Sequence, residues 1–182
     1  MNAIDRLLAN YRRHVALPWA QRLAGAQRVW LAVYPPTEER RLRQRLEEFA
    51  LATRDSGHNW LATDLTHVVP RWLAEHPSAA ANFAEPEFLQ ADQVEPAAAD
   101  QIKAACGQAD ANTVVAVTGC ASLFNFVRIS RVLAHVESEV QGRLLLFFPG
   151  AVRGTTYRFM DARDGFNYLA VPITCEDPLL SP

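Results

Sequence analysis

The chain contains few cysteines and almost no lysine. Its three cysteines, Cys106, Cys120 and Cys175, lie far apart and form no CxxC pair. An odd number of scattered cysteines is typical of free thiols in a reducing compartment rather than of a disulfide scaffold. Lys103 is the only lysine, so nearly all of the positive charge comes from arginine. An arginine-rich surface favours planar contacts with carboxylates and phosphates.

Long apolar runs are also missing. No stretch approaches the ~18 apolar residues of a membrane-spanning helix, and the first 14 residues lack the continuous apolar region of a secretory signal. The formal net charge of −2 gives no general attraction to nucleic acid or to anionic membranes. The 182 residues, of which 49% are apolar, suffice for one ordinary globular core. We therefore expect a soluble cytoplasmic protein.

The sequence does not contain the motifs of nucleotide hydrolysis. A phosphate-binding loop needs several glycines and a lysine, but residues 118–124, TGCASLF, contain one glycine and no lysine. Glu38 and Glu39 follow the first predicted strand, where they would repel a phosphate. Pro149 follows the apolar run 144–148, where an ATPase would need an acidic magnesium ligand.

Metal-binding and nucleophilic motifs are equally scarce. The five histidines form no HxH, HxxxH or HExxH pair, and no GxSxG turn is present. Cys120 is predicted near a helix N-terminus, which favours a thiolate, but a small buried cysteine is the favoured interpretation. We therefore expect no catalytic residues, no metal and no cofactor.

Apolar periodicity predicts alternating helices and strands. Helices are predicted at 3–17, at 37–56 with Thr37 as N-cap, at 70–75 and at 122–140. Strands are predicted at 28–34, 58–69, 114–118, 144–148 and 168–173. The Ala-, Pro- and acid-rich segment 76–111 is predicted to form one or two short helices after Pro86 and Pro96, packed as a cover or lid.

This alternation indicates an α/β fold. It predicts a single three-layer domain with a mostly parallel sheet of four or five strands and helices on both faces. We expect an amphipathic helix at 1–25 packed on a domain at 26–175, followed by a loose tail at 176–182. The expected strand order is 2-1-3-4 with the fifth strand at an edge, an order that would bring Tyr34 and Cys120 together.

The carboxyl ends of the strands are the expected location of a ligand or partner site. Its candidate residues are Thr118, Gly119, Ser122, Arg128, Pro149 and Gly150. Arg128 is predicted in the second turn of the 122–140 helix, where it shares a polar face with Arg131 and His135. That face can bind an acidic group or a phosphate, but pairing with Glu137 or Glu139 is the favoured interpretation.

Two other surface features leave alternatives open. Arg6, Arg12 and Arg13 suggest contact with DNA, although no nucleic-acid module is recognisable. The second arginine run, 40–45, is interleaved with glutamates and is interpreted as a solvated face. The large aromatic residues are numerous, and some of them are expected to anchor a partner; they are Trp19, Trp30, Trp60, Trp72, Phe83 and Phe88.

Two blocks of the chain resemble the BrxB family, small components of BREX bacteriophage-defence systems. The first consists of residues 29–49, VWLAVYPPTEERRLRQRLEEF, and 57–73, GHNWLATDLTHVVPRWL. The second contains Thr118-Gly119, Phe124, Arg128, Leu133, the FFPG of 147–150 and the aromatic segment 166–173. Asn125 replaces a frequent proline of the family, Val152 replaces a frequent tyrosine, and the last strand lacks an arginine.

The resemblance implies an adaptor or scaffold without catalytic activity. Family members are encoded with a DNA methyltransferase, a large ATPase and a PglZ-like protein, which is the expected binding partner together with other BREX subunits. The alternative is a regulatory subunit that binds a nucleotide or phosphate at the edge near Thr118 and Arg128. Direct DNA contact ranks third, and no membrane contact is expected.

Overall fold

The computed structural model describes residues 1–76, 78–85 and 91–176. Its helices are α1 (Ala3–Val15), α2 (Glu39–Asp55), α3 (Val68–Glu75), α4 (Ala79–Ala84), α5 (Ala91–Cys106) and α6 (Ile129–Val136). Its strands are β1 (Val29–Tyr34), β2 (Asn59–Asp64), β3 (Thr113–Thr118), β4 (Arg143–Arg153), β5 (Thr156–Phe159), β6 (Phe166–Asn167) and β7 (Val171–Ile173).

Five strands form a parallel sheet in the order β2-β3-β4-β1-β7. The predicted α/β fold with a mostly parallel sheet is therefore confirmed. The predicted order 2-1-3-4 is wrong, because β4 lies between β1 and β3. The half-exposed β2 takes an edge in both orders, whereas β1, β3 and the first seven residues of β4 are all buried, so burial alone does not distinguish the places of these three strands.

Helices α1 and α2 cover one face of the sheet. The predicted apolar stripe of α1 is confirmed, since Ile4, Leu7, Leu8, Tyr11 and Val15 are all buried. Asn2 and Asp5 cap its start reciprocally. The start predicted for α2 is wrong: Thr37 lies in a 3₁₀ helix, Pro36–Glu38, and α2 begins at Glu39.

Helices α3, α5 and α6 pack on the opposite face. The prediction of a lid over 76–111 is wrong for α5, because Val94, Ala98 and Ile102 are fully buried in the main core. Pro96 lies within α5 and does not begin it. Pro96 is the sixth residue of α5, so the helix lacks the hydrogen bond that a backbone N–H at this position would donate four residues back. Phe88 lies outside the described residues, as does the side chain of Phe83.

The helix predicted over 122–140 is broken in the structure. Cys120–Leu123 forms a 3₁₀ helix, and α6 begins only at Ile129. Asn125 adopts a φ of 68°, a left-handed conformation that ends the first segment and that asparagine tolerates better than most residues. The sequence predicted one unbroken helix because Phe126, which lies in the break, still packs against the core and so keeps the apolar periodicity.

Strand β4 is longer than predicted. It pairs with β1 as far as Pro149, then continues to Arg153 and forms an antiparallel hairpin with β5. The FFPG segment therefore does not end a strand, contrary to the prediction. A Cβ at position 150 would collide with the Arg158 carbonyl oxygen of β5, so this glycine permits the close approach of the hairpin.

The two ends of the described chain meet beside β7. Arg6 Nε donates to the Cys175 carbonyl at 2.8 Å, and Asn10 Nδ2 donates to the Thr174 carbonyl at 2.7 Å. The segment predicted as a fifth strand, 168–173, contains β7 and begins directly after β6, while residues 177–182 of the predicted tail lie outside the described residues. Among the described residues, no helix is long and apolar enough to span a membrane.

Candidate functional site at the carboxyl edge of the sheet

The carboxyl ends of β1, β2 and β3 place polar side chains near the start of α2. Tyr34, Asp64 and Thr118 are the last residues of these strands. Glu39 and Arg43 occupy the first two turns of α2 and reach across this edge. We call the connected group Tyr34, Glu39, Arg43, Asp64 and Thr66 the edge cluster.

The turn after β2 folds back on its own carboxylate. Asp64 Oδ1 accepts hydrogen bonds from the Thr66 backbone nitrogen at 2.9 Å and from the Thr66 hydroxyl at 2.5 Å. An aspartate that bonds the backbone two residues later forms an Asx turn. Asp64 can form this turn because it is the last residue of β2, so the backbone after it is free to fold back.

Gly119 lets this turn approach β3 closely. Its φ is +79°, and a Cβ there would come within 2.5 Å of the Thr66 backbone nitrogen and closer still to Asp64 Oδ1. The glycine that we assigned to a ligand edge therefore accommodates a loop of the chain itself.

Arg43 joins α2 to the same turn. Its Nε donates to Glu39 Oε1 at 2.8 Å, its Nη2 donates to the Thr66 hydroxyl at 2.9 Å, and its Nη1 lies 3.5 Å from Asp64 Oδ2. The Tyr34 hydroxyl donates to the other oxygen of Glu39. Both carboxylates thus pair with one guanidinium, which leaves the cluster with one uncompensated negative charge.

The pKa shifts agree with this pairing. Partial burial is the largest influence on Asp64 and opposes ionisation, but the Thr66 hydrogen bonds and the Arg43 cation outweigh it and lower the pKa of Asp64. Burial also opposes the charge of Arg43, yet Glu39 and Asp64 raise the pKa of its guanidinium. Burial, reinforced by Glu39, raises the pKa of Tyr34 far above its ordinary value, so its hydroxyl remains a donor.

Cys120 is unsuited to act as a nucleophile. Its side chain is 1% exposed, and burial raises the pKa of its thiol well above the ordinary value, with Glu39 and Asp64 adding to the shift. The thiolate, which is the reactive form, is therefore disfavoured at neutral pH.

The six residues predicted for the site divide among three places. Thr118, Gly119 and Ser122 contact the end of β2: the Ser122 hydroxyl lies 3.2 Å from the Leu65 carbonyl, and the Thr118 hydroxyl lies 3.5 Å from the Thr63 carbonyl. Arg128 contacts α5, and Pro149 and Gly150 lie beside β1 and β5.

Arg128 does not lie in the second turn of a helix, as we predicted. It precedes α6, and its backbone nitrogen donates to Glu95 Oε1 at 3.1 Å. Arg131 Nη1 lies 3.6 Å from the other oxygen of this buried glutamate. The expected pairing of this face with Glu137 or Glu139 is therefore wrong for Arg131, which pairs with α5 instead.

Gly150 lines a cleft of about 750 Å³ between the ends of β1, β4 and β7. Arg6, Tyr34 and Cys175 also line it. The Cys175 Sγ lies 3.3 Å from the Val33 carbonyl, and burial raises the pKa of this thiol to about 11.

In the part of the chain that the structure describes, no group of three or more His, Cys, Asp or Glu side chains could hold a metal ion.

Sequence reasoning predicted Tyr34 at this edge but missed the other four residues of the edge cluster. Asp64 and Thr66 were hidden because the second strand was predicted to continue to residue 69. Glu39 and Arg43 were interpreted as parts of a solvated helix face. The available signal was the D-x-T spacing of Asp64 and Thr66, which favours a tight turn.

Comparison with known proteins identifies the family. A family model described as BREX protein BrxB matches residues 75–173, more than half of the chain. The chain belongs to the BrxB family. BrxB membership implies a component of a BREX phage-defence system, with other BREX subunits as its partners. The BrxB match includes α5, β3, α6 and β4, whereas Asp64 and Arg43 precede it. No curated protein and no solved structure matches the chain.

Proposed function

We propose that this protein is a non-catalytic adaptor in a BREX phage-defence complex and that it binds the PglZ-like subunit. The family assignment supports a role within that system. The edge cluster also supports an adaptor, because its charged groups pair with one another and Gly119 is packed against the Thr66 loop.

One observation favours binding of another protein: an exposed leucine lines a small pocket at the opposite edge of the sheet, and a second exposed leucine lies close to this pocket along the chain. Leu17 is 58% exposed and Leu169 is 71% exposed. Leu17 and Val171, two residues after Leu169, line a pocket of about 260 Å³ with Trp19 and Trp30. We call it the amino-edge pocket, because Trp30 and Val171 lie at the starts of β1 and β7. Exposed apolar side chains around aromatic walls are typical of protein-binding surfaces.

The decisive experiment is co-purification with the PglZ-like protein from the same operon, with the mass measured by light scattering. We expect a complex of defined mass that is lost in the double variant Leu17→Ser, Leu169→Ser. Leu51→Ser is the matched control, because Leu51 is 49% exposed on α2 and is not among the residues that line the amino-edge pocket. Two separate peaks with the unaltered protein would refute binding to the PglZ-like subunit.

The alternative function is a regulatory subunit that binds a nucleotide or phosphate. The cleft beside Gly150, with Arg6 in its wall, gives this alternative a location. Calorimetric titration with ATP, GTP and cyclic nucleotides tests it. Saturable heat that is lost in Arg6→Gln would favour the alternative over the adaptor.

A further inference from the structure

Arg143 is a buried cation at the start of β4. The residue is 5% exposed. Its guanidinium donates hydrogen bonds to the Gly142 carbonyl at 2.9 Å and to the Ala20 carbonyl at 3.1 Å. The guanidinium carbon lies 4.8 Å from the centre of the Trp19 ring and 5.8 Å from that of Trp30. Arg143 thus forms part of the wall of the amino-edge pocket.

No carboxylate neutralises this cation within the described ranges 1–76, 78–85 and 91–176. Burial and, secondarily, the neighbouring Arg28 cation lower the pKa of Arg143. His14 lines the same pocket, and burial together with Arg143 lowers the pKa of its imidazole, so it is neutral at pH 7.

A buried charge without a counter-charge is costly. The two carbonyls and the two indole rings offset part of that cost and attach the segment before β1 to the sheet. They do not supply negative charge, and the pocket beside Arg143 is open to solvent. An anion entering this pocket would gain more from Arg143 than from a surface arginine, since it would displace water and leave the charge pair between aromatic walls.

We infer that the amino-edge pocket receives an acidic side chain of the protein partner, with its carboxylate at the Arg143 guanidinium. The methylene groups of that side chain would lie against Trp19 and Trp30, and an apolar neighbour in the partner would cover Leu17. The small volume and the apolar walls fit a glutamate side chain better than a nucleotide. This inference rests on the proposed adaptor function and specifies the chemistry of the partner.

The test uses two peptides, acetyl-Leu-Glu-Leu-amide and acetyl-Leu-Gln-Leu-amide, added to the full chain. Proton–nitrogen spectra follow the indole N–H signals of Trp19 and Trp30, with Trp72 on α3 as the internal control. We expect the glutamate peptide to shift both pocket signals saturably, to leave Trp72 unchanged, and to bind about tenfold or more tightly than the glutamine peptide, the ratio expected for one charge-assisted hydrogen bond.

Variants at Arg143 provide the second measurement. Arg143→Gln removes the charge, and Arg143→Lys keeps the charge but not the planar fork. We expect the preference for glutamate to disappear in Arg143→Gln and to be partly kept in Arg143→Lys. If either variant fails to fold by circular dichroism, the glutamate-to-glutamine ratio in the unaltered chain decides alone.

The outcomes separate this inference from the adaptor proposal. Equal binding of the two peptides, or no shift at Trp19 and Trp30, would overturn the acidic-partner inference even if the PglZ-like protein co-purifies. A stronger shift with inorganic phosphate than with the glutamate peptide would also overturn it. A clear glutamate preference would support it even if co-purification with the PglZ-like protein fails, in which case only the identity of the partner is wrong.

Discussion

Gly119→Ala tests whether the edge cluster is packed as described. Two separate costs are expected from this change. The first is conformational, because the φ of Gly119 is +79° and an L-residue is strained there. The second is steric, because the new Cβ would come within 2.5 Å of the Thr66 backbone nitrogen. A backbone atom cannot rotate away as the end of a flexible side chain can, so the Asp64–Thr66 turn must move.

Gly57→Ala isolates the first cost. Gly57 has a φ of +82°, nearly that of Gly119, but its added Cβ would have no neighbour within 4 Å. Left-handed strain costs about 1–2 kcal/mol, partly offset by the lower entropy of the unfolded chain. We therefore expect Gly57→Ala to lower the free energy of unfolding by about 1 kcal/mol. Gly119→Ala should cost about 2–4 kcal/mol more, from overpacking and loss of the Asp64–Thr66 hydrogen bonds.

Urea denaturation followed by circular dichroism measures both variants at pH 7. The comparison is valid where the slope against urea is the same in each protein, so that a change in midpoint reports stability. For a chain of this size, each kcal/mol corresponds to about 2–4 °C in melting temperature. Equal destabilisation by the two substitutions would refute the close approach of the Thr66 turn to β3.

Two further predictions concern ionisation. The pKa of Asp64 is lowered in the folded state, so its contribution to stability is present above its ordinary pKa and is lost as the pH falls through the folded value. Asp64→Asn should therefore reduce the free energy of unfolding at pH 7, by less than about 1 kcal/mol because the side chain is half exposed. The difference should begin to fall below about pH 4 and vanish once the pH is below the folded pKa; an undiminished difference at about pH 2 would contradict this. Iodoacetamide at pH 8, followed by mass spectrometry, should label Cys175 before the fully buried Cys120, whereas equal rates would contradict the burial of Cys120.

Apolar periodicity was enough to predict the parts of the fold that pack in a regular way. The stripe of α1 was correct in all five residues, and β1 and β3 were each placed within one residue. These elements bury one face or both, and burial is what the pattern of apolar residues encodes. The breaks were harder to predict, because Asn125 and Gly150 act through backbone geometry that leaves no periodic signal.

Strand order and the edge cluster depend on contacts between distant parts of the chain. No local sequence pattern indicates that β4 lies between β1 and β3. This placement decides which strand ends are neighbours at the carboxyl edge of the sheet. Arg43 and Asp64 are 21 residues apart, yet they meet because α2 returns across the sheet from β1 to the edge strand β2. Their pairing was therefore not predictable from spacing.

The meeting of β1 with β7 has a consequence for how the chain folds. Trp30 pairs with Val171, so one flank of β1 stays unpaired until the chain has been synthesised as far as β7. Pairing across so many residues raises the contact order and slows folding. During synthesis, Arg6 and Asn10 of α1 also have to wait for their partners Cys175 and Thr174, which follow them by 169 and 164 residues. The amino-edge pocket, which needs Val171, is thus completed only after that residue has been synthesised, and products truncated before it would lack the proposed partner-binding surface.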